Sequence, residues 1–254
     1  MTNRLFIVGD VHGCSEEFDA LFDRLRPTDQ DRVIFAGDLV DKGPDSAGVV
    51  RRVREMAQRL QVDLVLGNHE ENHIRWMAKT DDKKAEMKRH LEFVEIHRHM
   101  TDADREYLHS ALLYIHLPAL NVVVTHGGVP ESMKSLPDPK TIASLSRKDR
   151  DWYKQMCRLR CVDEQGRFVG LYETKPEHQF WADRYDGRLG HVFFGHQPYM
   201  EEMPHAFPHA SGIDLGCVFG GYLCAVELDS SDGTRVATHT EQGRKKYANY
   251  FNEE

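Results

Sequence analysis

The 254-residue sequence has no uninterrupted apolar run that approaches the length of a membrane span. A transmembrane helix needs about 20 consecutive apolar residues, so a helical membrane protein is excluded. The first apolar segment, residues 5–8, is followed at once by Gly9 and Asp10. That segment is too short for the hydrophobic region of a secretory signal. We therefore expect a cytoplasmic protein without a membrane partner.

Cysteine is scarce as well. The sequence has five cysteines, and both their odd number and their spacing fit neither a disulfide framework nor a four-ligand zinc site. Cytosolic thiols are normally kept reduced. We expect reduced, buried thiols at Cys14, Cys157, Cys161, Cys217 and Cys224.

Basic residues are not in excess either. The 41 acidic residues outnumber the 33 lysines and arginines, which gives a net charge of −8. This charge argues against a general binder of nucleic-acid polymers or of membrane surfaces. A phosphorylated substrate stays possible, since bound metal ions can dominate the local charge. No repeat or linker divides the chain, so we expect one domain over residues 1–254.

Five apolar segments that are predicted strands end in a similar way. Each is followed directly by a residue with an oxygen or imidazole ligand, and in four of them glycine precedes that residue and allows a sharp turn. Sites in α/β sheets collect at the carboxyl ends of strands, so these side chains should converge with nearby His12. The five residues are Asp10, Asp38, Asn68, His126 and His196.

These six residues supply oxygen and imidazole donors and no thiolate. Such a set suits Mn, Fe, Zn, Ni or Mg, with Mn favoured here, and disfavours copper and iron–sulfur clusters. Six ligands are too many for one closed site but suit two metal ions that share a carboxylate. Two ions roughly 3.5–4 Å apart are the usual arrangement for hydrolysis of phosphate esters.

The motifs Gly-Asp-x-His-Gly (9–13), Gly-Asp-x-Val-Asp-x-Gly (37–43), Gly-Asn-His-Glu (67–70), His-Gly-Gly (126–128) and Gly-His (195–196) occur in this order. Together they resemble the metal-dependent phosphoprotein-phosphatase family, the calcineurin-like metallophosphoesterases. Residues 213–221 resemble its bacterial branch, which includes small protein phosphatases, RNA-repair phosphatase modules and diadenosine-tetraphosphate hydrolases. The resemblance implies an α/β fold in which mixed β-sheets flanked by helices form an αββα sandwich with a helical cap.

The resemblance also implies roles for individual residues. Asp10, His12 and Asp38 would hold one metal ion, and Asp38 would bridge to a second ion held also by Asn68, His126 and His196. A metal-activated water would attack phosphorus, with His69 as the general acid for the leaving oxygen. Asp41 would orient His69 and keep it protonated.

Two basic residues are expected to bind phosphate. The family usually has arginine at position 42, where this chain has Lys42, which resembles some dinucleoside-polyphosphate hydrolases. Asp41 and Glu70 resemble the protein phosphatases instead, so the motifs point in both directions. A second phosphate ligand is expected from Arg184, with Arg188 as the other candidate.

Two segments outside the motifs, residues 72–110 and 131–180, are expected to form cap insertions. The first predicts helices over 83–99 and 102–112. Four of the histidines in this segment show no metal-binding spacing with one another, and we expect them on solvated helix faces: His90, His97, His99 and His109.

The sequence therefore predicts a dinuclear metal-dependent phosphohydrolase. Serine/threonine protein phosphatase is the first expectation, with a phosphoprotein as partner. Hydrolysis of diadenosine polyphosphates, with a nucleotide as partner, is the alternative. A non-catalytic metal- and phosphate-binding protein is a remote third, because His69 and Asp41 are both present. The sequence predicts no oligomeric state.

Overall fold

The computed structural model describes residues 3–249. Thirteen strands occur in this part of the chain: β1 (Arg4–Val8), β2 (Arg32–Phe35), β3 (Gln61–Leu64), β4 (Tyr114–Leu117), β5 (Val122–Thr125), β6 (Cys161–Val162), β7 (Phe168–Val169), β8 (Gln179–Phe180), β9 (His191–Phe194), β10 (His205–Ala206), β11 (Ala210–Gly212), β12 (Tyr222–Asp229) and β13 (Arg235–Gln242).

Helices lie between these strands within the same described range. There are eight α-helices, numbered in chain order: α1 (Ser15–Leu25), α2 (Ser46–Met56), α3 (Asn68–Met77), α4 (Asp81–Ala85), α5 (His90–Arg98), α6 (Asp102–His109), α7 (Arg147–Lys154) and α8 (Trp181–Arg184). None of them is both long and apolar enough to cross a bilayer.

Two mixed five-stranded sheets form the centre of the molecule, with strand orders β13-β12-β1-β2-β3 and β10-β11-β9-β5-β4. In the first sheet β1, β2 and β3 are parallel. In the second, β5, β9 and β11 are parallel. The remaining pairings in both sheets are antiparallel. The carboxyl ends of the parallel strands in both sheets therefore deliver the motif residues.

Side chains alternate between the two faces of each strand, and this alternation explains why the two sheets stack. In β1, Leu5 and Ile7 enter an apolar layer shared with Val124 and Phe193 of the second sheet. Successive strand side chains point to opposite faces, so Phe6 faces the other way, toward α1 and α2. A third apolar layer covers the outer face of the second sheet. This is the predicted αββα sandwich, and the fold prediction is confirmed.

The two less regular segments differ from the sequence-based expectation in detail. Residues 72–110 contain most of α3 and then α4, α5 and α6, so the helix expected over 83–99 is two shorter helices. Residues 131–180 contain α7 and a small three-stranded sheet of order β7-β6-β8. The turn at 163–166 joins β6 to β7 as an antiparallel hairpin, as the sequence predicts.

Candidate metal centre and active site

Six predicted ligands meet where the two sheets end. The Asp38 carboxylate is central: its Oδ2 lies 3.2 Å from His126 Nε2 and 3.6 Å from His12 Nε2. Two groups whose donor atoms could hold a metal ion both contain Asp38, one with His12 and His69 and one with His126 and His196. A carboxylate shared by two such groups is in the position required of a metal bridge.

The other candidate ligands complete the cluster. His12 Nε2 lies 3.9 Å from Asp10 Oδ2, and the backbone N–H of His196 donates to the same carboxylate oxygen at 3.1 Å. Asn68 Oδ1 lies 3.0 Å from His126 Nε2. The structure thus brings together the ends of β1, β2, β5 and β9 and the start of α3.

Backbone carbonyls select the ring nitrogens that face the cluster. His12 Nδ1 lies 2.9 Å from the carbonyl oxygen of Val40, and His126 Nδ1 lies 2.8 Å from that of Ala36. A carbonyl oxygen can accept a hydrogen bond but cannot donate one. Each Nδ1 therefore carries a proton and is the donor. Each Nε2 then keeps its lone pair, as a metal ligand requires.

Glycine before the ligand is required by the close approach of neighbouring turns. Gly37 has φ +103°, and a Cβ there would lie 2.8 Å from the backbone of Gly67. A Cβ on Gly67 would lie 2.1 Å from Asp38 Oδ1. The two exit turns touch through their backbones, so a side chain on either would separate Asp38 from Asn68.

Burial sets the electrostatics of the cluster. Burial, together with the carboxylates of Asp214 and Asp38, raises the pKa of the Asp10 carboxyl well above its usual range. Burial and the ammonium group of Lys42 lower the pKa of His12, and burial and Arg160 lower that of His196. Burial alone would lower the pKa of His126, but the Asp38 carboxylate outweighs it and raises that pKa. Crowded carboxylates beside the neutral imidazoles of His12 and His196 are a donor set that divalent cations fit.

Glu70 holds the second and third motif loops together. It is fully buried, and its carboxylate accepts hydrogen bonds from the backbone N–H groups of Asp38, Leu39 and Gly67 at 2.8–3.1 Å. Because Gly67 is the N-cap of α3, this contact also satisfies the N-cap N–H at the start of the helix. These contacts give a structural role to Glu70 of the Gly-Asn-His-Glu motif, for which the sequence alone indicates none.

The predicted acid and its partner are in contact. His69 Nδ1 lies 2.6 Å from Asp41 Oδ2, and Asp41 is completely buried. Burial alone would raise the pKa of the Asp41 carboxyl, but hydrogen bonds from His69 and His73 outweigh it and hold that pKa well below its usual range. A carboxylate that stays ionised keeps the His69 proton on Nδ1 and orients the ring.

A cavity of about 630 Å³ opens beside the cluster. Asn68, His69 and His196 lie at its inner end, next to Lys42. Its other lining residues include four basic ones, one acidic one and a largely apolar group: Lys88, Arg89, Arg158 and Arg160, then Glu92, then Phe168, Val169, Leu171 and Tyr172, with Asn72 and Gly170. The candidate ligands therefore face a space large enough for an extended substrate.

The two predicted phosphate ligands lie in different places relative to the cavity. Lys42 lies at the cavity, with its Nζ 3.2 Å from His12 Nε2 and 5.2 Å from the ring centre of Phe219. Arg184 lies elsewhere: it forms an ion pair with Glu131 at 2.7 Å and donates to the carbonyl of Asp163. The structure corrects the expectation for Arg184, because these partners hold its guanidinium away from the cluster.

Arg188, the other candidate, is also directed elsewhere, with its Nη1 donating to the carbonyl of Glu131. The cavity is lined instead by Arg89, which pairs with Asp41 at 3.0 Å, and by Arg158 and Arg160. Arg158 donates to the Asn68 carbonyl at 3.4 Å and to Glu71 at 2.8 Å, and Arg160 donates to the His196 carbonyl at 2.9 Å. Sequence reasoning missed both, because no motif marks them in an irregular stretch.

One of the four cap histidines is not solvated. His97 is 5% exposed, and its Nε2 lies 2.9 Å from His73 Nδ1. The expected solvated face is therefore wrong for His97, since α5 turns this residue inward against α3. His99 and His109 are exposed as expected, and His90 is half-buried beside Trp76. A spacing of four residues between His69 and His73 was the available signal for the pair on α3.

Comparison with known proteins agrees with this geometry. The calcineurin-like phosphoesterase family model matches residues 4–200. An asymmetrical bis(5'-nucleosyl)-tetraphosphatase, PrpE, of Oceanobacillus iheyensis is 26% identical, over 97% of this chain and 97% of its own length. A symmetrical bis(5'-nucleosyl)-tetraphosphatase of Nitrosococcus oceani is 27% identical, over 90% of this chain and 94% of its own.

Solved structures of phosphatases have the same fold. The crystal structure of a putative diadenosine tetraphosphatase superimposes with a TM-score of 0.69 at 26% identity, covering 96% of this chain and 95% of that one. A serine/threonine phosphatase of Saccharomyces cerevisiae has a TM-score of 0.55 at 16% identity, over 95% and 80%, a likeness of fold alone. The chain belongs to the calcineurin-like phosphoesterase family and is a metal-dependent phosphoric ester hydrolase.

Proposed function

We propose that this protein hydrolyses dinucleoside polyphosphates such as diadenosine tetraphosphate. The cavity beside the candidate metal cluster supports this proposal most strongly, because five basic side chains line it. Lys42, Arg158 and Arg160 lie near the cluster, and Lys88 and Arg89 lie on the cap side. Several cations in one cavity suit a chain of phosphates, whereas a single phosphoserine needs fewer of them.

The outer side of the same cavity suits a nucleobase. Tyr172 is 83% exposed and Leu171 46% exposed, and both lie next to the small three-stranded sheet. Aromatic side chains with an open face are the usual platforms on which bases stack. The bacterial relatives named as tetraphosphatases support the same substrate class over nearly the whole chain.

The metal centre is proposed to hold two Mn²⁺ ions, because the donors are carboxylate, amide and imidazole. When both ions are bound, the centre supplies hydroxide from coordinated water at neutral pH and neutralises charge on the phosphoryl oxygens. We assign Asp10, His12 and Asp38 to one ion. We assign Asp38, Asn68, His126 and His196 to the other.

His69 is proposed as the general acid. It lines the cavity, and its Nε2 lies 3.9 Å from Asp38 Oδ2, at the edge of the cluster. Asp41 holds the opposite nitrogen, which directs Nε2 toward the space where a leaving oxygen would sit. Lys42 is proposed to bind a phosphoryl oxygen as a point charge.

Residues 1–254 are proposed to act as one domain in which segments 72–110 and 131–180 cap the site. Arg89 and Tyr172, one from each segment, line the same cavity. The five cysteines are all free thiols, which supports a cytoplasmic location. Hydrolysis of phosphoproteins is the second candidate, favoured by the intact contact between His69 and Asp41.

The test compares kcat/KM of the Mn²⁺-loaded protein on diadenosine tetraphosphate and on a phosphoserine peptide. We expect the dinucleotide to be preferred. Tyr172→Ala should raise KM for the dinucleotide by about five- to a hundredfold, since stacking is worth roughly 1–3 kcal/mol per base. It should leave 4-nitrophenyl phosphate unaffected, and Tyr172→Phe should behave as the parent. Preference for the phosphopeptide would overturn the proposal.

A further inference from the structure

Asp41 lies in the middle of a line of buried polar side chains that continues beyond His69. Its Oδ2 faces His69 Nδ1 at 2.6 Å, and its Oδ1 faces His73 Nε2 at 2.9 Å. His73 Nδ1 in turn faces His97 Nε2 at 2.9 Å. Asp41 and His73 are both 0% exposed. The line runs from the cavity, through α3, to α5 of the cap segment.

The proton positions along this line follow from the available acceptors. An ionised carboxylate only accepts, so His73 Nε2 carries a proton and donates it to Asp41. A neutral His73 then accepts at Nδ1, and His97 donates from Nε2. His97 Nδ1 is buried without a hydrogen-bond partner in the described structure, which suits a bare nitrogen better than an N–H group. Burial also lowers the pKa of His97 to about 3.

Aromatic packing fixes both rings of the pair. The His73 ring meets Phe93 edge-to-face at 4.6 Å between ring centres. The His97 ring stacks on Trp76 at 4.8 Å with 21° between the planes. Neither imidazole has room to turn away from its hydrogen bond, since a packed interior resists such movement.

Asp41 needs this support because its own backbone is strained. It has φ +72°, a left-handed conformation that residues other than glycine adopt reluctantly. Its backbone N–H donates to Ser46 Oγ at 2.8 Å, and Arg89 Nη1 donates to Oδ2 at 3.0 Å. His73 is the donor to Oδ1, so the carboxylate is held at both oxygens and cannot rotate away from His69.

We propose that His73, held by His97, is a positioning residue that acts on hydrolysis through Asp41 and His69. This rests on the proposed role of His69 as general acid. His73 fixes one carboxylate oxygen and leaves the other for His69, which places His69 Nε2 where it donates to the leaving oxygen. His97 secures the tautomer and the ring of His73, so the cap segment contributes to the position of the acid.

Aryl phosphates that differ in their leaving group provide the readout. Phenol is less acidic than 4-nitrophenol, so hydrolysis of phenyl phosphate depends more strongly on a proton donor. His73→Leu should lower kcat on phenyl phosphate by about tenfold, as expected when a catalytic group is misplaced. It should lower kcat on 4-nitrophenyl phosphate much less, with KM unchanged for both. A loss of folded or metal-loaded protein would lower the apparent kcat on both substrates equally.

Two further variants serve as matched comparisons. His73→Gln keeps an N–H donor that can reach Asp41, so it should recover most of the lost rate on phenyl phosphate. His99→Gln changes an exposed histidine on the same side of the cap and should behave as the parent on both substrates. If His73→Leu fails to fold, His97→Leu removes the donor to His73 Nδ1 and should show the same dependence on the leaving group, more weakly.

A double-mutant cycle separates this proposal from the proposed function. Interacting residues give non-additive effects. His69→Asn should reduce phenyl phosphate hydrolysis selectively, and adding His73→Leu should cause no further loss. If His69→Asn affects both substrates equally, the general-acid role fails. Suppose instead that His69→Asn lowers kcat on phenyl phosphate selectively. If His73→Leu then lowers kcat by the same factor with and without His69→Asn, or lowers kcat on both substrates equally, His73 has only a structural role and its assignment as a positioning residue is overturned.

Discussion

The histidines of the site differ in the partner of their second ring nitrogen. His12 and His126 donate Nδ1–H to backbone carbonyls, which leaves Nε2 as a neutral electron-pair donor. His69 donates Nδ1–H to a buried carboxylate, which orients the ring as the carboxylate of a catalytic triad does. One residue type thus has two chemical uses, and the partner of Nδ1 decides between them.

Lys42 is the residue proposed to bind a phosphoryl oxygen as a point charge. Its Nζ lies 3.2 Å from His12 Nε2, directly at the cluster. We expect Lys42→Ala to raise KM and lower kcat, with kcat/KM reduced about ten- to a hundredfold, because a charged hydrogen bond to phosphate is worth roughly 1.5–3 kcal/mol. Lys42→Arg should restore or improve activity.

Steady-state kinetics on diadenosine tetraphosphate check this prediction, with exposed Lys140→Ala as the control. An alanine variant with unchanged kinetics would remove Lys42 from phosphate binding. A variant that loses metal along with activity would instead mean that Lys42 supports the His12 side of the centre.

Strand ends explain which parts of the site could be predicted from the sequence. Asp10, Asp38, Asn68, His126 and His196 follow apolar runs directly, so the geometry of parallel strands brings them together without long-range information. His69 and Asp41 were predictable because each lies within three residues of one of these ligands, Asn68 and Asp38 respectively. The fold class followed from the resemblance of the five motifs to a known family.

Residues held by tertiary packing could not be predicted. Arg158 and Arg160 reach the cavity because the Gly127 and Gly128 N–H groups both donate to the Met156 carbonyl, a contact between distant segments. His97 becomes buried only because α5 packs on α3. Arg184 failed as a prediction because Glu131, 53 positions earlier in the chain, captures its guanidinium. No local pattern encodes such contacts.

The Asp31 carboxylate anchors β1 beside β2. The Asp31 carboxylate accepts from the backbone N–H groups of Arg4 and Thr28 and from the Arg4 guanidinium at 2.7–2.9 Å. Burial alone would raise the pKa of Asp31, but these hydrogen bonds lower it to about 2. A depressed pKa gives stability that is fully present above the unfolded pKa of about 3.9 and is lost as the pH falls through about 2.

Asp31→Asn should therefore reduce the free energy of unfolding by about 1–2 kcal/mol near neutral pH. The difference from the parent should shrink as the pH falls below about 4. Urea denaturation at several pH values measures it, with the exposed Asp29→Asn as the control. A difference that stays constant down to about pH 3 would contradict the assigned pKa shift.

At the scale of the whole molecule, the centre exists only because two sheets stack with their strand ends at one edge. Asp10, Asp38 and Asn68 belong to the first sheet and its connections, and His126 and His196 to the second. Neither half holds a complete set for two ions. Asp38 lies at the junction, within 3.2 Å of His126 across the interface between the sheets.

Metal content measured together with turnover tests the two-metal centre most directly. Protein stripped by a chelator is titrated with Mn²⁺, while bound ions and diadenosine tetraphosphate hydrolysis are followed in the same samples. We predict no turnover in the stripped protein, two bound ions per chain at saturation, and full activity only when both are bound. Full activity with one ion per chain, or turnover that survives metal removal, would contradict the account.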